Sequence, residues 1–190
     1  GIREDELPRL AIRPYPRQYV FPWQMRDGTQ ITLRPIRPED EPLMVRFHRT
    51  LSDRSVYFRW LHMLGLSQRI AHERLIGICF IDYDRQMALV ASYHDAQTGQ
   101  EEIMGVGRLI KSRDAHEAEF ALLVADQFQR KGLGMELLRR LIQVGRDEQL
   151  QRLTGDILIE NQGMQHICTN LGFRLQYSPE DQIVKAELDL

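Results

Sequence analysis

Gln129-Arg130-Lys131-Gly132-Leu133-Gly134 lies in the second half of a 190-residue chain and decides how the rest is read. Residues 119–124 before it, Glu-Phe-Ala-Leu-Leu-Val, have the composition of a strand. Residues 135–148 after it carry apolar side chains at helical spacing. A strand, a short glycine-bearing loop and a helix together make a phosphate cradle. The loop amides converge on an anion, and the helix start adds partial positive charge. Glycine lets the backbone come close to a phosphate and take the dihedrals of a curled loop.

Two nearby glycines at a helix entry are common, so the neighbours must supply the specificity. A dinucleotide-binding loop would need Gly-x-Gly-x-x-Gly early in a parallel βαβ unit, with an acidic residue on the next strand. Here the loop comes late, after runs that read as antiparallel strands. A Walker A loop is excluded, because no Gly-Lys-Ser/Thr follows. On the incoming strand, alternation puts Glu117 and Glu119 on one face with Ala121 and Leu123. Ala118, Phe120, Leu122 and Val124 form the other, more apolar face. Solvated edge carboxylates are the ordinary reading of such a pair. A carboxylate within a strand's length of a phosphate cradle is also a candidate general base. Downstream, Asn161 can cap a short helix that carries Met164, Ile167, Cys168 and Leu171 and stops at Gly172 before Phe173.

Composition narrows the class. Hydrophobic residues make up 43% and charged residues 27%, and the net charge is −2. That is globular composition without the basic footprint of a nucleic-acid binder. No apolar run reaches the length of a membrane span, and the polar first residues do not make a signal peptide. Cys79 and Cys168 sit in separate apolar runs and read as reduced, packed thiols of a cytoplasmic protein. The six histidines show no His-Glu-x-x-His pattern and no pairing with cysteine, so no metal site is expected. Residue 1 is Gly, which makes the chain a candidate fragment of a longer protein.

Residues 1–17 are charged and then proline-bearing, and read as an extended arm. Gln18 to Met25 and Thr29 to Arg34 flank Asp27-Gly28 as a hairpin. Pro38-Glu39-Asp40-Glu41-Pro42 opens a helix with Leu43, Met44, Phe47 and Leu51 on one side. Ser52-Asp53 and Ser67 can cap two more helices. Met87 to Tyr93 and Ile103 to Ile110 are strands, and Gly105 and Gly107 suggest close packing or a bulge. After the cradle, Leu133, Leu137, Leu138, Leu141 and Ile142 share a stripe, with Glu136, Arg139, Arg140 and Gln143 off it. Residues 153–159 and 183–190 are further strands. The order βααα-ββ-β-α-β-α-β implies a three-layer α/β fold on a mixed, mostly antiparallel sheet.

These segments together resemble the GNAT superfamily, the Gcn5-related N-acetyltransferases. The hexapeptide matches its Gln/Arg-x-x-Gly-x-Gly/Ala signature, and 161–173 is similar to its second motif, an Asn followed by a helix ending in Leu-Gly-Phe. Ala118-Glu119-Phe120-Ala121, Glu160-Asn161 with Met164, and Arg13-Pro14-Tyr15-Pro16 resemble one subgroup, the bacterial protein lysine acetyltransferases of the Pat type. In that subgroup a GNAT domain follows a domain related to acyl-CoA synthetases. The division implied is a linker or N-terminal arm over 1–25 and a GNAT domain over 26–190, with a synthetase-like domain upstream in a longer protein.

The resemblance implies acetyl-CoA as co-substrate. Gln129, Arg130, Lys131, Gly132, Leu133, Gly134 and Met135 would hold its pyrophosphate. Leu123, Val124 and Ala125 would pair with the pantetheine arm, and Asn161 completes the set. Glu119 stands where protein-acetylating members carry their general base, with Glu117 the runner-up. The acceptor would be a lysine of another protein, such as an acyl-CoA synthetase. A small amine, an N-terminus, or a non-catalytic acyl-CoA-sensing role are the alternatives. Many members place a Tyr four residues before the Gly of Leu-Gly-Phe, as acid for the leaving thiolate. Here that position is Cys168, which reads better as a packed thiol than as an acid.

Overall fold

The computed structural model describes residues 14–55, 79, 81–114 and 116–190. Eight strands form one sheet: β1 (Phe21–Gln24), β2 (Gln30–Pro35), β3 (Gln86–His94), β4 (Glu101–Lys111), β5 (Glu117–Val124), β6 (Arg152–Leu158), β7 (Arg174–Ser178) and β8 (Ile183–Asp189). Their spatial order is β1-β2-β3-β4-β5-β6-β8-β7. Every adjacent pair is antiparallel except β5 and β6. That parallel pair needs a crossover, which α2 (Leu133–Asp147) supplies. Helices α1 (Glu41–Arg49) and α3 (Gln162–Asn170) complete the described layers.

Alternation along the strands builds two cores. Leu89 and Ala91 of β3 and Phe120 and Leu122 of β5 face α2, where Leu133, Leu137, Leu138 and Leu141 are fully buried. Ala88 and Val90 face the other way, with Met44 and Phe47 of α1 and Leu123 of β5. Both expectations for the β4 glycines hold. A Cβ on Gly107 would lie 3.0 Å from Leu122 Cδ2 and 3.0 Å from Leu141 Cδ1, so glycine lets α2 pack close. The β3–β4 register shifts between Ala91, opposite Gly105, and Ser92, opposite Ile103, which leaves Met104 as the extra residue of a bulge.

An ion-paired knot fixes α1 to the sheet. Arg34 of β2 donates from both terminal nitrogens to Asp40, at 2.7 Å each, and one of them reaches Glu101 at 3.1 Å. Asp40 also accepts the Arg37 N–H at 2.8 Å, just ahead of α1. Burial would lower the pKa of Arg34. Asp40 and Glu101 outweigh it and hold the guanidinium above its usual range.

Several expectations need correction. The stretch 1–25 is not all linker. Tyr15 donates to Pro35 O at 2.7 Å, buried Tyr19 donates to Asp147 of α2 at 3.0 Å, and β1 is an edge strand of the sheet. The aromatic side chains of this stretch pack on the domain, which an extended arm would not allow. Residues 17–19 form a 3-10 turn rather than strand. Glu136, expected off the apolar stripe, is buried. It pairs with Arg139 and, at 2.9 Å, with Arg140, whose guanidinium lies 4.1 Å from the centre of the Phe21 ring. β1 covers this face of α2. The strand β7 has no clear signature in the sequence, because its side chains are mostly exposed and lack clean alternation. Most of the two helices expected after Ser52 lies outside the described residues.

Candidate active site

β5 and β6 pair over only three rungs, Glu117–Arg152, Ala118–Leu153 and Glu119–Thr154. Beyond them β5 runs on to Val124 and β6 to Leu158 without pairing, so the sheet opens into a V. A cleft of about 1000 Å³ occupies this opening. Its walls come from β5, the 126–135 loop and helix start, the end of β6 with Asn161, and the exposed side of α3.

The hexapeptide curls at one end of the cleft. Arg130 has φ +62° and Gly132 φ +86°, both left-handed, and Gly132 is the N-cap of α2. This alternation turns successive amides inward as an anion-binding nest. The first helical hydrogen bond of α2 is Glu136 N–H to Gly132 O, at 3.1 Å. Among the described residues, no amide from Arg130 to Met135 donates a hydrogen bond. A helix start leaves such groups for a ligand. Gly134 sits tight against α3, where a Cβ would come within 3.2 Å of Ile167 Cδ1. Unpaired amides, the left-handed turn and the missing Cβ all suit a pyrophosphate.

Side chains in the loop divide into those that face the cleft and those that do not. Gln129, Arg130, Gly132, Gly134 and Met135 line it. Leu133 is fully buried in the core, so only its backbone is available. Lys131 turns away, pairing with Asp27 of the β1–β2 turn at 3.5 Å and lying 5.9 Å from the centre of the Phe128 ring. Asn161 lines the cleft while its side chain accepts Met164 N–H at 3.2 Å and caps α3.

The β5 backbone narrows the pantetheine expectation. Ala125 N–H donates to Met104 O at 2.8 Å and so faces β4. Alternation turns Leu123 the same way and leaves Val124 facing the opening. Of Leu123, Val124 and Ala125, only Val124 offers its peptide N–H to the cleft. Its carbonyl accepts Gln129 Nε2 at 3.0 Å, which ties the cradle to the strand end.

Glu119 lies in the cleft, exposed, at the last paired rung. Glu117 does not line it and lies 3.6 Å from Arg152 in an ion pair. Cys168 is fully buried, absent from the cleft wall, and its thiol is pushed up to about 12 by burial. It offers no surface to the cleft.

One part of the site had no signal in the sequence. Asp126 accepts Ser52 N–H at 3.2 Å and the Ser55 hydroxyl at 3.0 Å, and Gln129 Nε2 donates to that same hydroxyl at 3.1 Å. Burial would raise the pKa of Asp126, but the bonds from Ser52 and Ser55 prevail and lower it. The segment after α1 is thereby latched to the cradle. Only the capping role of Ser52 was readable, and it is met, since its hydroxyl accepts Ser55 N–H at 3.1 Å.

Residues 30–174 match the family model of the acetyltransferase (GNAT) domain, and the chain belongs to that family. It is a CoA-dependent N-acetyltransferase. It is 30% identical to an acetyltransferase of Pseudomonas aeruginosa over 155 residues, 82% of this chain and 81% of that one. The structure is similar to the GNAT domain of S. lividans PAT, with a TM-score of 0.82 and 26% identity over 93% of this chain and all of that one. It also resembles Mycobacterium smegmatis RimJ in complex with CoA-disulfide, with a TM-score of 0.66 and 18% identity over 90% of this chain and 86% of that one. That likeness concerns the fold. Among the described residues no helix is long and apolar enough to cross a membrane.

Proposed function

We propose that the chain transfers the acetyl group of acetyl-CoA to the ε-amine of a lysine in a protein substrate, with Glu119 as general base. The observation that carries this reading is the position of Glu119. Its carboxylate is exposed and has no hydrogen-bond or ion-pair partner among the described residues. It opens into the same cleft as the unpaired amides of the cradle.

The amides from Arg130 to Met135 would bind the pyrophosphate, and Val124 would anchor the arm that leads to the reacting end. When bound, acetyl-CoA supplies an activated thioester carbonyl. A lysine ammonium is not nucleophilic, and the Glu119 carboxylate takes its proton, directly or through a water. A backbone N–H near Val124 would donate to the carbonyl oxygen as it gains charge. Holding amine and acyl donor together in one cleft supplies much of the acceleration. With Cys168 sealed in the core, solvent protonates the leaving thiolate.

The likeness to the GNAT domain of S. lividans PAT supports a protein acceptor. An acyl-CoA synthetase is the acceptor class this reading favours, with a synthetase-like domain ahead of residue 1 in the full-length protein and a cytoplasmic location. Incubation with acetyl-CoA and an acyl-CoA synthetase, followed by peptide mass spectrometry, tests it. A single modified lysine, lost with Glu119→Gln, is the expected result. Acetylation of free polyamines or of N-termini alone would point to a small-amine enzyme. Tight acetyl-CoA binding with no transfer to any amine would point to an acyl-CoA sensor.

A further inference from the structure

The β1–β2 hairpin reaches the cradle loop. Its turn is held at several points. Met25 is buried and its N–H donates to Thr29 O at 2.9 Å, while Asp27 accepts Thr29 N–H at 3.0 Å. Asp27 is also clasped by Lys131 of the cradle loop at 3.5 Å. Between these anchored residues stands Arg26. Its Nε lies 3.7 Å from the point a Cβ on Gly132 would occupy, and Trp23 of β1 lies 3.8 Å from the same point. Arg26 lines the cleft, as Arg130 does on the loop itself. Neither guanidinium has a hydrogen-bond or ion-pair partner among the described residues. The carboxylate next to Arg26 in sequence is already occupied by Lys131, so it leaves the guanidinium free.

We infer that Arg26 is a ligand for the phosphates of the CoA donor, which makes the β1–β2 hairpin part of the donor site. The inference rests on the reading of the hexapeptide as a CoA cradle. A guanidinium beside a nest of amides can add two N–H bonds to a phosphate that the amides already hold. The Asp27–Lys131 pair links the hairpin to the cradle loop beside Arg26. Two sources of phosphate are available in the donor, the pyrophosphate and the 3′-phosphate, and both offer the same chemistry.

Titration calorimetry of the full chain distinguishes them, using acetyl-CoA, acetyl-dephospho-CoA and phosphate-free acetyl-pantetheine against wild type, Arg26→Gln and Arg26→Lys. Arg26→Gln is expected to weaken acetyl-CoA by about 10- to 100-fold, the range of a charge-assisted bond. Arg26→Lys should recover part of the loss, and the salt dependence of binding should become shallower in Arg26→Gln. A loss that persists with acetyl-dephospho-CoA assigns Arg26 to the pyrophosphate, and a loss confined to acetyl-CoA assigns it to the 3′-phosphate. Either supports the inference. An affinity for acetyl-CoA within twofold of wild type, or an equal loss for acetyl-pantetheine, overturns it. Gly132→Val serves as the separate control. If it abolishes binding while Arg26→Gln does not, the cradle stands and the role of Arg26 falls. If wild type itself binds no acetyl-CoA, the donor reading fails first.

Discussion

Glu119 and Thr154 face each other on the last rung that β5 and β6 share, and the cleft begins where that rung ends. The base candidate therefore sits at the vertex of the V, while the cradle sits at its mouth. The paired part of the sheet fixes the backbone at Glu119, and the unpaired part leaves backbone free for a ligand. This division predicts that catalysis and donor binding separate cleanly on mutation.

Glu119→Gln keeps the size of the side chain and removes its proton affinity. The turnover rate should fall by about 10²–10⁴-fold, the usual contribution of a general base. Affinity for acetyl-CoA should change by less than twofold, because Glu119 is not among the unpaired amides. Steady-state kinetics with calorimetry in parallel gives both numbers. The rate of the variant should rise with pH, as the free lysine amine becomes populated without help. A variant that retains wild-type turnover at neutral pH would remove Glu119 from the mechanism.

Gly132 adopts φ +86°, which a β-branched residue resists. Gly132→Val should cost about 1–3 kcal/mol of backbone strain or force the loop to unwind. Either outcome spoils the nest, so acetyl-CoA affinity should drop by more than tenfold with the far-ultraviolet circular dichroism unchanged. Gly134→Leu tests the other wall. Its Cβ would press on Ile167 Cδ1 at 3.2 Å, and the branched side chain would move α3 or enter the cleft.

Asp40 neutralises a guanidinium that is only 5% exposed. Asp40→Asn would leave Arg34 with Glu101 as its remaining counter-charge and should destabilise the fold by about 3–5 kcal/mol. For a chain of this size that corresponds to a melting temperature lower by roughly 6–20 °C. Replacing both residues by apolar ones of similar volume should cost less than Asp40→Asn alone. A double-mutant cycle followed by thermal denaturation measures the difference. Additive losses would show that the pair is not coupled in the folded state.

Much of this site is legible in the sequence. The hexapeptide announced the cradle because its glycines and flanking periodicities are local features. Alternation puts Glu117 and Glu119 on one face, and of the two only Glu119 lines the cleft. What the sequence hid was contact between distant segments. Lys131 looked like a phosphate ligand until the β1–β2 turn supplied Asp27. Glu136 looked solvated until β1 covered it. The Asp126–Ser55–Gln129 latch spans more than 70 residues and has no periodic signature. The edge strand β7 is hidden for a related reason, since an exposed strand need not alternate in hydrophobicity.

Cys168 stands at the position where the family resemblance implies a proton donor, and it is walled off from the cleft. The thiol is fully buried, and burial pushes it up to about 12 from an ordinary value of 9.0. In the folded chain it should resist alkylation at pH 8, because the reactive thiolate is almost unpopulated. Unfolding in urea should expose it at once. The sign of its pH linkage follows from the same shift. Below about 9 the thiol is protonated in both states and contributes no pH dependence. Between 9 and about 12 the unfolded chain ionises while the folded one does not, so stability is lost as pH rises. Cys79, pushed up to about 11 by burial, adds to the same trend. Cys168→Ala should therefore flatten the decline in melting temperature above pH 9 and lower the melting temperature at neutral pH, since it leaves a small cavity. The pH dependence of turnover should be unaltered by that substitution. An alkaline limb that disappears in Cys168→Ala would restore the thiol to the mechanism.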